Sequence, residues 1–118
     1  MRHKKHKYQL NMTRSHRKAL MRNLACELID HGKIKSTHAK VKAVQPFVEK
    51  LVTIAKNDSV ANRRLAFSRL NNKKAVQVLF NDVAPKFKER NGGYTRVDKL
   101  AEARVGDGSK MSYISFVE

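Results

Sequence analysis

The chain begins with a long stretch that contains no carboxylate. Eight lysines and arginines and three histidines precede Glu27, the first acidic residue. Because like charges repel in water, this stretch is expected to stay extended until an anion neutralises it. A nucleic-acid backbone suits that task best, since each phosphate that Lys or Arg covers releases condensed counterions. We therefore divide the sequence into a basic tail over residues 1–13 and one globular domain over residues 14–118.

The charge of the whole chain favours the same kind of partner. Among 118 residues, 26 are Lys or Arg and 10 are acidic, giving a formal net charge of +16. A small globular protein rarely tolerates such self-repulsion without an anionic partner. The sequence shows neither a bilayer-spanning apolar run nor the apolar core of a secretory signal. Its single cysteine excludes an internal disulfide. We expect a cytoplasmic protein without a membrane partner.

Capping residues and helical periodicity predict two long helices first. The first runs from a cap at Ser15 to about His31, where Gly32 ends it. The second is capped by Thr37 and contains Pro46, which predicts a kink or a delayed start. The side chains expected to face the core are Leu20, Met21, Leu24, Leu28 and Ile29 in the first helix, and Val41, Val44, Val48, Leu51, Val52 and Ala55 in the second.

Two shorter helices and three strands complete the predicted fold. The helices cover about 60–70 and 73–83, and Pro85 is expected to close the second of them. Strands are predicted near 33–36, 94–105 and 111–117, the last two joined by a hairpin turn. The expected class is α+β (a two-layer α/β arrangement), with about four helices on a small mixed three-stranded sheet. The core residues predicted for the short helices are Val60, Phe67, Leu70, Val76, Leu79, Phe80 and Val83.

The sequence does not predict a catalytic or metal centre. His3 and His6 could begin a metal site, but no carboxylate or thiol in the tail completes it, and a tail cannot hold fixed geometry. Cys26 and His31 are five residues apart on one helix, a poor fit for a nucleophile and its base, so Cys26 is interpreted as a buried structural thiol. We predict no enzymatic activity, no cofactor, no metal and no small-molecule substrate.

Basic residues also recur outside the tail. Arg14, Lys18 and Arg22 follow at intervals of four and would line one side of the first helix, either as a solvated face or as a continuation of the tail. Arg63 and Arg64 point roughly 100° apart on a helix, so both could reach one curved backbone, although ordinary surface residues would look the same.

The glycine pair Gly92–Gly93 lies between further candidate contacts. Arg90 precedes the pair, and Tyr94 and Arg96 follow it. Glycine lets backbone amides approach a phosphate closely, and a tyrosine ring can stack on a base. An ordinary loop that needs positive φ is an equally good interpretation.

The distribution of charge favours RNA over DNA. Basic residues occur in the tail, in several helices and in the loop at 90–96, which suits burial within folded RNA better than docking on one face of a duplex. A DNA-binding architectural protein, whose tail would enter a minor groove, is the first alternative. An RNA-processing enzyme that uses the histidines is the second.

Several segments, in their order along the chain, resemble one family. The resemblance is to a bacterial-type large-subunit ribosomal protein, number seventeen of that subunit, and it covers almost the whole sequence. It is carried by the opening MRH, by SHRKALMRNL at 15–24, by IKST at 34–37, by LVTIAK at 51–56, by SVANRRLAF at 59–67, by RNGGYTR at 90–96 and by RVGD at 104–107.

The resemblance implies a function and a set of contacts. It implies three strands layered against helices, no enzymatic activity, and a structural role in the large ribosomal subunit. It also implies binding to large-subunit ribosomal RNA near the peptide tunnel exit, beside neighbouring large-subunit proteins in the cytoplasmic ribosome. The RNA-binding residues it implies are Arg2, His3, Arg14, His16, Arg17, Lys18, Arg22, Lys35, Arg63, Arg64, Tyr94 and Arg96; the charge pattern adds Lys4, Lys5, Lys7 and Arg90.

The sequence departs from the family in two places. Relatives often carry arginine near Gln45 and Pro46 and proline near Lys50, and the difference argues against RNA contacts from the middle of the long helix. Between Tyr94 and Gly106 the chain is one residue longer, with Asp98 and Glu102 added. This predicts a β-bulge and fewer phosphate contacts from that strand.

Overall fold

The computed structural model describes residues 13–104, 106 and 108–117, with the backbone alone at residue 102. The basic tail at 1–12 and the predicted strand residue Val105 lie outside the described residues. The elements in chain order are α1 (Arg14–His31), β1 (Lys33–Thr37), α2 (His38–Ala55), α3 (Val60–Leu70), α4 (Lys73–Val78), a π-helical turn (Leu79–Val83), a 3-10 turn (Ala84–Phe87), β2 (Thr95–Ala103) and β3 (Lys110–Phe116).

Helix α1 begins earlier than predicted and ends as predicted. Thr13, and not Ser15, is its N-cap, because the extended Thr13 backbone lets its Oγ1 accept from the His16 N–H at 3.2 Å. At the other end Gly32 adopts φ 79° and its N–H donates to the Leu28 carbonyl at 2.7 Å. This left-handed residue stops the helix and starts β1 at the next position.

Helix α2 supplies the largest part of the core. Its six predicted core residues are all buried, none more than 2% exposed. The helix runs unbroken through Pro46, so the delayed start was a wrong prediction. Pro46 has no N–H, so the carbonyl one turn earlier loses its helical hydrogen bond. Because Pro46 is exposed, water can hydrate that carbonyl. Thr37 stands at the N-cap position, but its side chain makes no capping hydrogen bond.

Polar side chains set the ends of the short helices. Ser59 caps α3 by accepting from the Asn62 N–H at 3.1 Å, and Asn72 caps α4 by accepting from the Ala75 N–H at 3.1 Å. Between them Asn71 takes φ 56°, the left-handed conformation that asparagine tolerates better than most residues. The predicted break between the two helices is therefore confirmed.

The predicted core of α3 was partly wrong. Leu70 is buried, but Val60 is 67% exposed and Phe67 is 38% exposed. The helix instead buries Ala66, whose small side chain allows α3 to lie close to its neighbours. Apolar spacing identified the helix correctly but could not show how narrow its buried face is.

The helical structure that follows α4 continues past Pro85 instead of ending there. The predicted core residues Val76, Leu79, Phe80 and Val83 are all buried, and the last three lie in the π-helical turn. Pro85 then falls in the first turn of a 3-10 helix, where its missing N–H is not needed. This extension places Phe87 in the core, 1% exposed.

The sheet has strand order β1-β3-β2, with both pairs antiparallel. The predicted α+β class with helices on a three-stranded sheet is confirmed, while the expected mixed sheet is antiparallel because β3 runs against both neighbours. Lys99 lies opposite Ser112 and Ala103 opposite Lys110, so β2 carries extra residues there. The predicted irregularity in β2 is confirmed.

The two faces of the sheet have different environments. Ile34, Ile114 and Thr95 are buried on one face, the inner face, where α2 packs. The alternate residues of each strand lie on the outer face, where Lys33, Lys35 and Arg96 are exposed. The fold therefore presents one strand surface to the core and the other to solvent.

The core face of α1 can be tested at Leu28, which is fully buried. Leu28→Ala should lower the free energy of unfolding by about 2–5 kcal/mol, the usual cost of truncating a core leucine. Leu65→Ala, at a position 39% exposed, is the matched control and should cost much less. Urea denaturation followed by circular dichroism measures both, and equal effects would show that the core face is misassigned.

Candidate nucleic-acid interface

The outer face of the sheet carries a continuous group of basic side chains. Lys35 of β1 and Asp98 of β2 both lie opposite Tyr113 of the central strand. In the next row Lys33 and Arg96 both lie opposite Ser115. Residues that pair directly in an antiparallel ladder project from the same face. The fold thus brings together Lys35 and Arg96, which the sequence analysis selected separately. We call Lys33, Lys35, Arg96 and Tyr113 the sheet surface.

Tyr113 is the aromatic centre of the sheet surface. Its ring is half-buried, and the Lys33 ammonium lies 4.4 Å from the ring centroid. This distance allows a cation–π contact that orients the lysine over the ring. A partly exposed ring among cations is an arrangement on which a nucleobase can stack while the phosphates of the nucleic acid meet the charges.

Asp98 moderates the charge of one cation on this surface. The Arg96 Nε–H donates to Asp98 Oδ1 at 3.0 Å, and the two side chains are 69% and 47% exposed. An ion pair this exposed contributes little to stability. Arg96 keeps its other N–H donors, so it can still bind a phosphate. The phosphate then competes with the Asp98 carboxylate for the guanidinium. This geometry agrees with the expectation of fewer phosphate contacts from β2.

The Arg63 side chain forms hydrogen bonds and a ring contact within the protein. Its guanidinium donates to both Asp58 carboxylate oxygens, at 2.7 and 2.9 Å, and to Asn81 Oδ1 at 3.1 Å. It also lies 4.9 Å from the centroid of the Phe80 ring. The hydrogen bond from Arg63 lowers the pKa of the Asp58 carboxyl. Arg63 thus ties the α2–α3 connection to the π-helical turn, whereas its neighbour Arg64 is exposed.

The glycine pair forms a loop that is held to α2. Gly92 and Gly93 have φ of 93° and 63°, so the interpretation as a turn needing positive φ is confirmed. The Arg90 Nε–H donates to the Gly93 carbonyl at 3.0 Å, and the Lys56 ammonium donates to the Arg90 carbonyl. Part of the Arg90 side chain therefore shapes the loop.

Tyr94 does not fit the role of a base-stacking residue. It is 2% exposed, and its ring lies 5.3 Å from that of Phe87 in the core. Its hydroxyl accepts hydrogen bonds from Thr53 at 3.4 Å and from Lys56 at 3.3 Å. These bonds, led by that from Thr53, lower the Tyr94 pKa. A ring this enclosed cannot stack on RNA, so the proposed contact is corrected to a core role.

The beginning of α1 is a second basic surface. Residues 13–26 carry four cations and no carboxylate, and the basic tail directly precedes them in the sequence. One of them, Arg22, has a buried Nε with no hydrogen-bond partner in the described part of the chain. The predicted contact residues on this helix are Arg14, His16 and Lys18, all exposed, and Arg17 and Arg22, which are half-buried.

Gln45, a position that departs from the family pattern, serves the fold. The Gln45 side-chain amide donates to Thr95 Oγ1 at 3.1 Å, which connects α2 to β2. The same Thr95 donates its N–H and hydroxyl to Glu49 Oε2, at 2.8 and 2.7 Å. Gln45 thus faces the sheet, and this placement agrees with the expectation that the middle of α2 makes fewer RNA contacts.

Cys26 is a structural thiol, although it is half-buried and not fully enclosed. Its Sγ–H donates to the Leu70 carbonyl at 3.8 Å. Burial raises the Cys26 pKa, which keeps the thiol protonated and unreactive near neutral pH. Among the described residues, no three His, Cys, Asp or Glu side chains cluster to hold a metal ion. The described helices also include none that is long and apolar enough to cross a bilayer.

Sequence reasoning missed Lys33 and Tyr113. Their signal was present, because Lys33 and Lys35 alternate with Ile34 in β1, and an alternating pattern places both lysines on one face. Tyr113 alternates with the buried Ser112 and Ile114 in the same way. What the sequence could not supply is the strand order, which sets β3 between the two basic strands.

Together the fold and its basic surfaces define a class: a small α+β protein whose sheet carries cations and an aromatic ring on its outer face. Comparison with known proteins then gives the family. A family model described as Ribosomal protein L17 matches residues 20–117. The chain is also 53% identical over 119 aligned positions to the large ribosomal subunit protein bL17 of Persephonella marina, covering 100% of this chain and 96% of that protein. The chain belongs to the ribosomal protein L17 family.

Membership in this family confirms the resemblance found in the sequence. The family is structural and not enzymatic, so the predicted absence of enzymatic activity is also confirmed. The His-dependent RNA-processing alternative is therefore wrong.

The reassignment of Tyr94 can be tested by removing its hydroxyl alone. Tyr94→Phe keeps the ring but removes the hydrogen bonds to Thr53 and Lys56, and should lower the unfolding free energy by about 0.5–1.5 kcal/mol. RNA affinity should not change, because the side chain is enclosed. Urea denaturation and filter binding measure the two quantities, and a loss of affinity at unchanged stability would contradict the core role.

Proposed function

We propose that this protein is a structural component of the large ribosomal subunit that binds and stabilises folded ribosomal RNA by phosphate neutralisation. The relative from Persephonella marina carries the name of a large-subunit protein. The observation that carries RNA binding is the sheet surface, where cations on both edge strands flank the half-buried ring of Tyr113. The protein would act in the cytoplasmic ribosome, near the peptide tunnel exit.

Each residue type on the sheet surface would contribute differently. Lys33 and Lys35 are compact point charges that attract phosphate without reading sequence, and Arg96 offers a planar set of donors. Tyr113 offers a stacking surface that accepts any base. Binding would therefore depend strongly on salt and only weakly on sequence.

The tail and the start of α1 would act as one extended RNA contact. The acid-free stretch continues from the tail into the first turns of the helix, so no carboxylate interrupts the attraction. We propose that the tail orders as it inserts between RNA segments, with the helix as its fixed end. Lys4, Lys5 and Lys7, with Arg2 and His3, would add phosphate contacts in the tail.

The exposed apolar residues of α3 support contacts with neighbouring large-subunit proteins. Val60 and Phe67, one above the other on the helix, border a shallow groove that Val76 of α4 also lines. Apolar side chains grouped on the surface of so charged a protein favour contact with another macromolecule. Neighbouring proteins would cover them in the assembled subunit.

Removing the charge of the sheet surface should weaken RNA binding. The triple variant Lys33→Gln, Lys35→Gln and Arg96→Gln should bind large-subunit ribosomal RNA more weakly and with a lower salt dependence. The slope of log affinity against log salt should fall by about one for each phosphate that the variant no longer neutralises. Filter binding across a salt series measures the slope, with duplex DNA as a competitor at fixed salt.

A matched control removes charge elsewhere. Lys73→Gln, Lys74→Gln and Lys50→Gln also take away three charges, all at exposed helical positions outside the sheet surface. If both triple variants weaken RNA affinity equally, the sheet surface has no special role. Preference for duplex DNA over folded ribosomal RNA would instead support an architectural DNA-binding protein.

Deleting residues 1–12 tests the tail separately. The deletion removes Arg2, Lys4, Lys5 and Lys7, and should lower both the RNA affinity and the salt slope, because counterion release scales with the number of phosphates covered. Filter binding of the full chain and the truncated chain at several salt concentrations measures both. An unchanged slope would contradict the role proposed for the tail.

A further inference from the structure

One end of the inner sheet face is polar, although the rest of that face is apolar. Ser36 of β1 and Lys99 of β2 both lie opposite Ser112 of β3, so the three side chains form one row across the sheet. Ser112 is fully buried in this row. A buried polar group requires a hydrogen-bond partner, and here that partner comes from the start of α2.

His38 connects this row to the helix. It is the first residue of α2, and its Nδ1 lies 2.7 Å from the Ser112 hydroxyl oxygen. Lys42 follows His38 by one helical turn and lies on the same side of α2. Lys110 precedes Ser112 by two residues and therefore projects from the same face of β3. Three lysines from three different elements thus surround one imidazole.

The direction of the His38 pKa shift agrees with the closeness of the three lysines to its ring. Burial lowers the His38 pKa most, and the positive charges of Lys99, Lys42 and Lys110 lower it further. None of these lysines makes an ion pair with a described carboxylate. The nearest acidic residue in β2 with a described side chain, Asp98, projects from the opposite face and is bonded to Arg96. Among the described residues, therefore, no carboxylate pairs with the positive charges of these three lysines.

The backbone adds further donors at the same place. Helix α2 has 18 residues, and its N-terminus carries the positive end of the helix dipole. The side chain of Thr37 does not cap it. The first N–H groups of α2 are thus left for another acceptor beside the hydroxyl row.

We propose that Ser36, His38, Lys42, Lys99 and Lys110 form a notch that binds a backbone phosphate of RNA. This inference rests on the proposed function and adds a contact at one end of the inner face of the sheet, away from the sheet surface. A phosphate group fits better than a protein carboxylate because its oxygens can accept from hydroxyl, imidazole and ammonium donors at once. The RNA backbone, which carries a negative charge at each phosphate, also supplies enough charge to offset three lysines.

The notch can be tested through the ring signals of His38 in NMR. Inorganic phosphate should shift these signals saturably, and an RNA fragment of the large subunit should shift them at lower concentration. In the double variant Lys42→Gln and Lys99→Gln both shifts should disappear. The control Lys73→Gln and Lys74→Gln removes equal charge at the start of α4 and should leave the shifts unchanged.

RNA affinity completes the test. The notch double variant should lower the salt slope by about one, because one phosphate is no longer neutralised. The inference is overturned if RNA binds normally while the His38 signals stay still, a result that leaves the proposed function intact. It is also overturned if polyglutamate shifts the signals and RNA does not, which would make the occupant an acidic protein. Absence of any RNA binding by the full chain would instead refute the proposed function.

Discussion

Burial of one face of α2 is the interaction on which the rest of the structure depends. This helix packs against α1, α3 and all three strands. Its core face places Val41, Val44, Val48 and Leu51 in four successive positions along the axis, each shielded from water. Burying a Val or Leu side chain contributes about 1.5–3 kcal/mol, so a face of this length can hold a small sheet in place. Because α2 covers the inner face of the sheet, the outer face is left free for charge.

Side chains alternate between the two faces of each strand, so burial of the inner face places the residues between the core side chains on the outer face. In β1 the buried Ile34 lies between Lys33 and Lys35, and in β3 the half-buried Tyr113 lies between Ser112 and Ile114. A shift of one residue in register would move Lys33 and Lys35 of β1 to the core and Ile34 to solvent. The register is therefore specified by the core, and the basic surface follows from it. Folding and binding residues are interleaved in the sequence but separated in space.

Much of the fold could be predicted from local signals, and the failures have physical causes. Gly32 marked the end of α1 correctly because capping depends on the residue itself and its near neighbours. Phe67 and Val60 were misassigned to the core because periodicity reports which face is apolar and not whether a neighbour covers it. Tyr94 was misassigned to the surface because the glycines before it suggested an exposed loop. Its hydroxyl is instead enclosed by Thr53 of α2 and by Lys56 directly after that helix, both far away in the sequence.

The candidate interface was less predictable for a related reason. Composition and the acid-free stretch indicated a polyanionic partner, since net charge needs no knowledge of the fold. The individual contacts depend on tertiary structure: Arg63 was selected as a candidate phosphate contact, yet its Nε and Nη2 donate to Asp58 and Asn81. Conversely, Lys99 and Lys110 attracted no notice in the sequence, and only strand pairing and the start of α2 bring them to His38. In so basic a protein the abundance of cations conceals which ones are left unpaired, and uncompensated charge rather than charge itself identifies where a phosphate can bind.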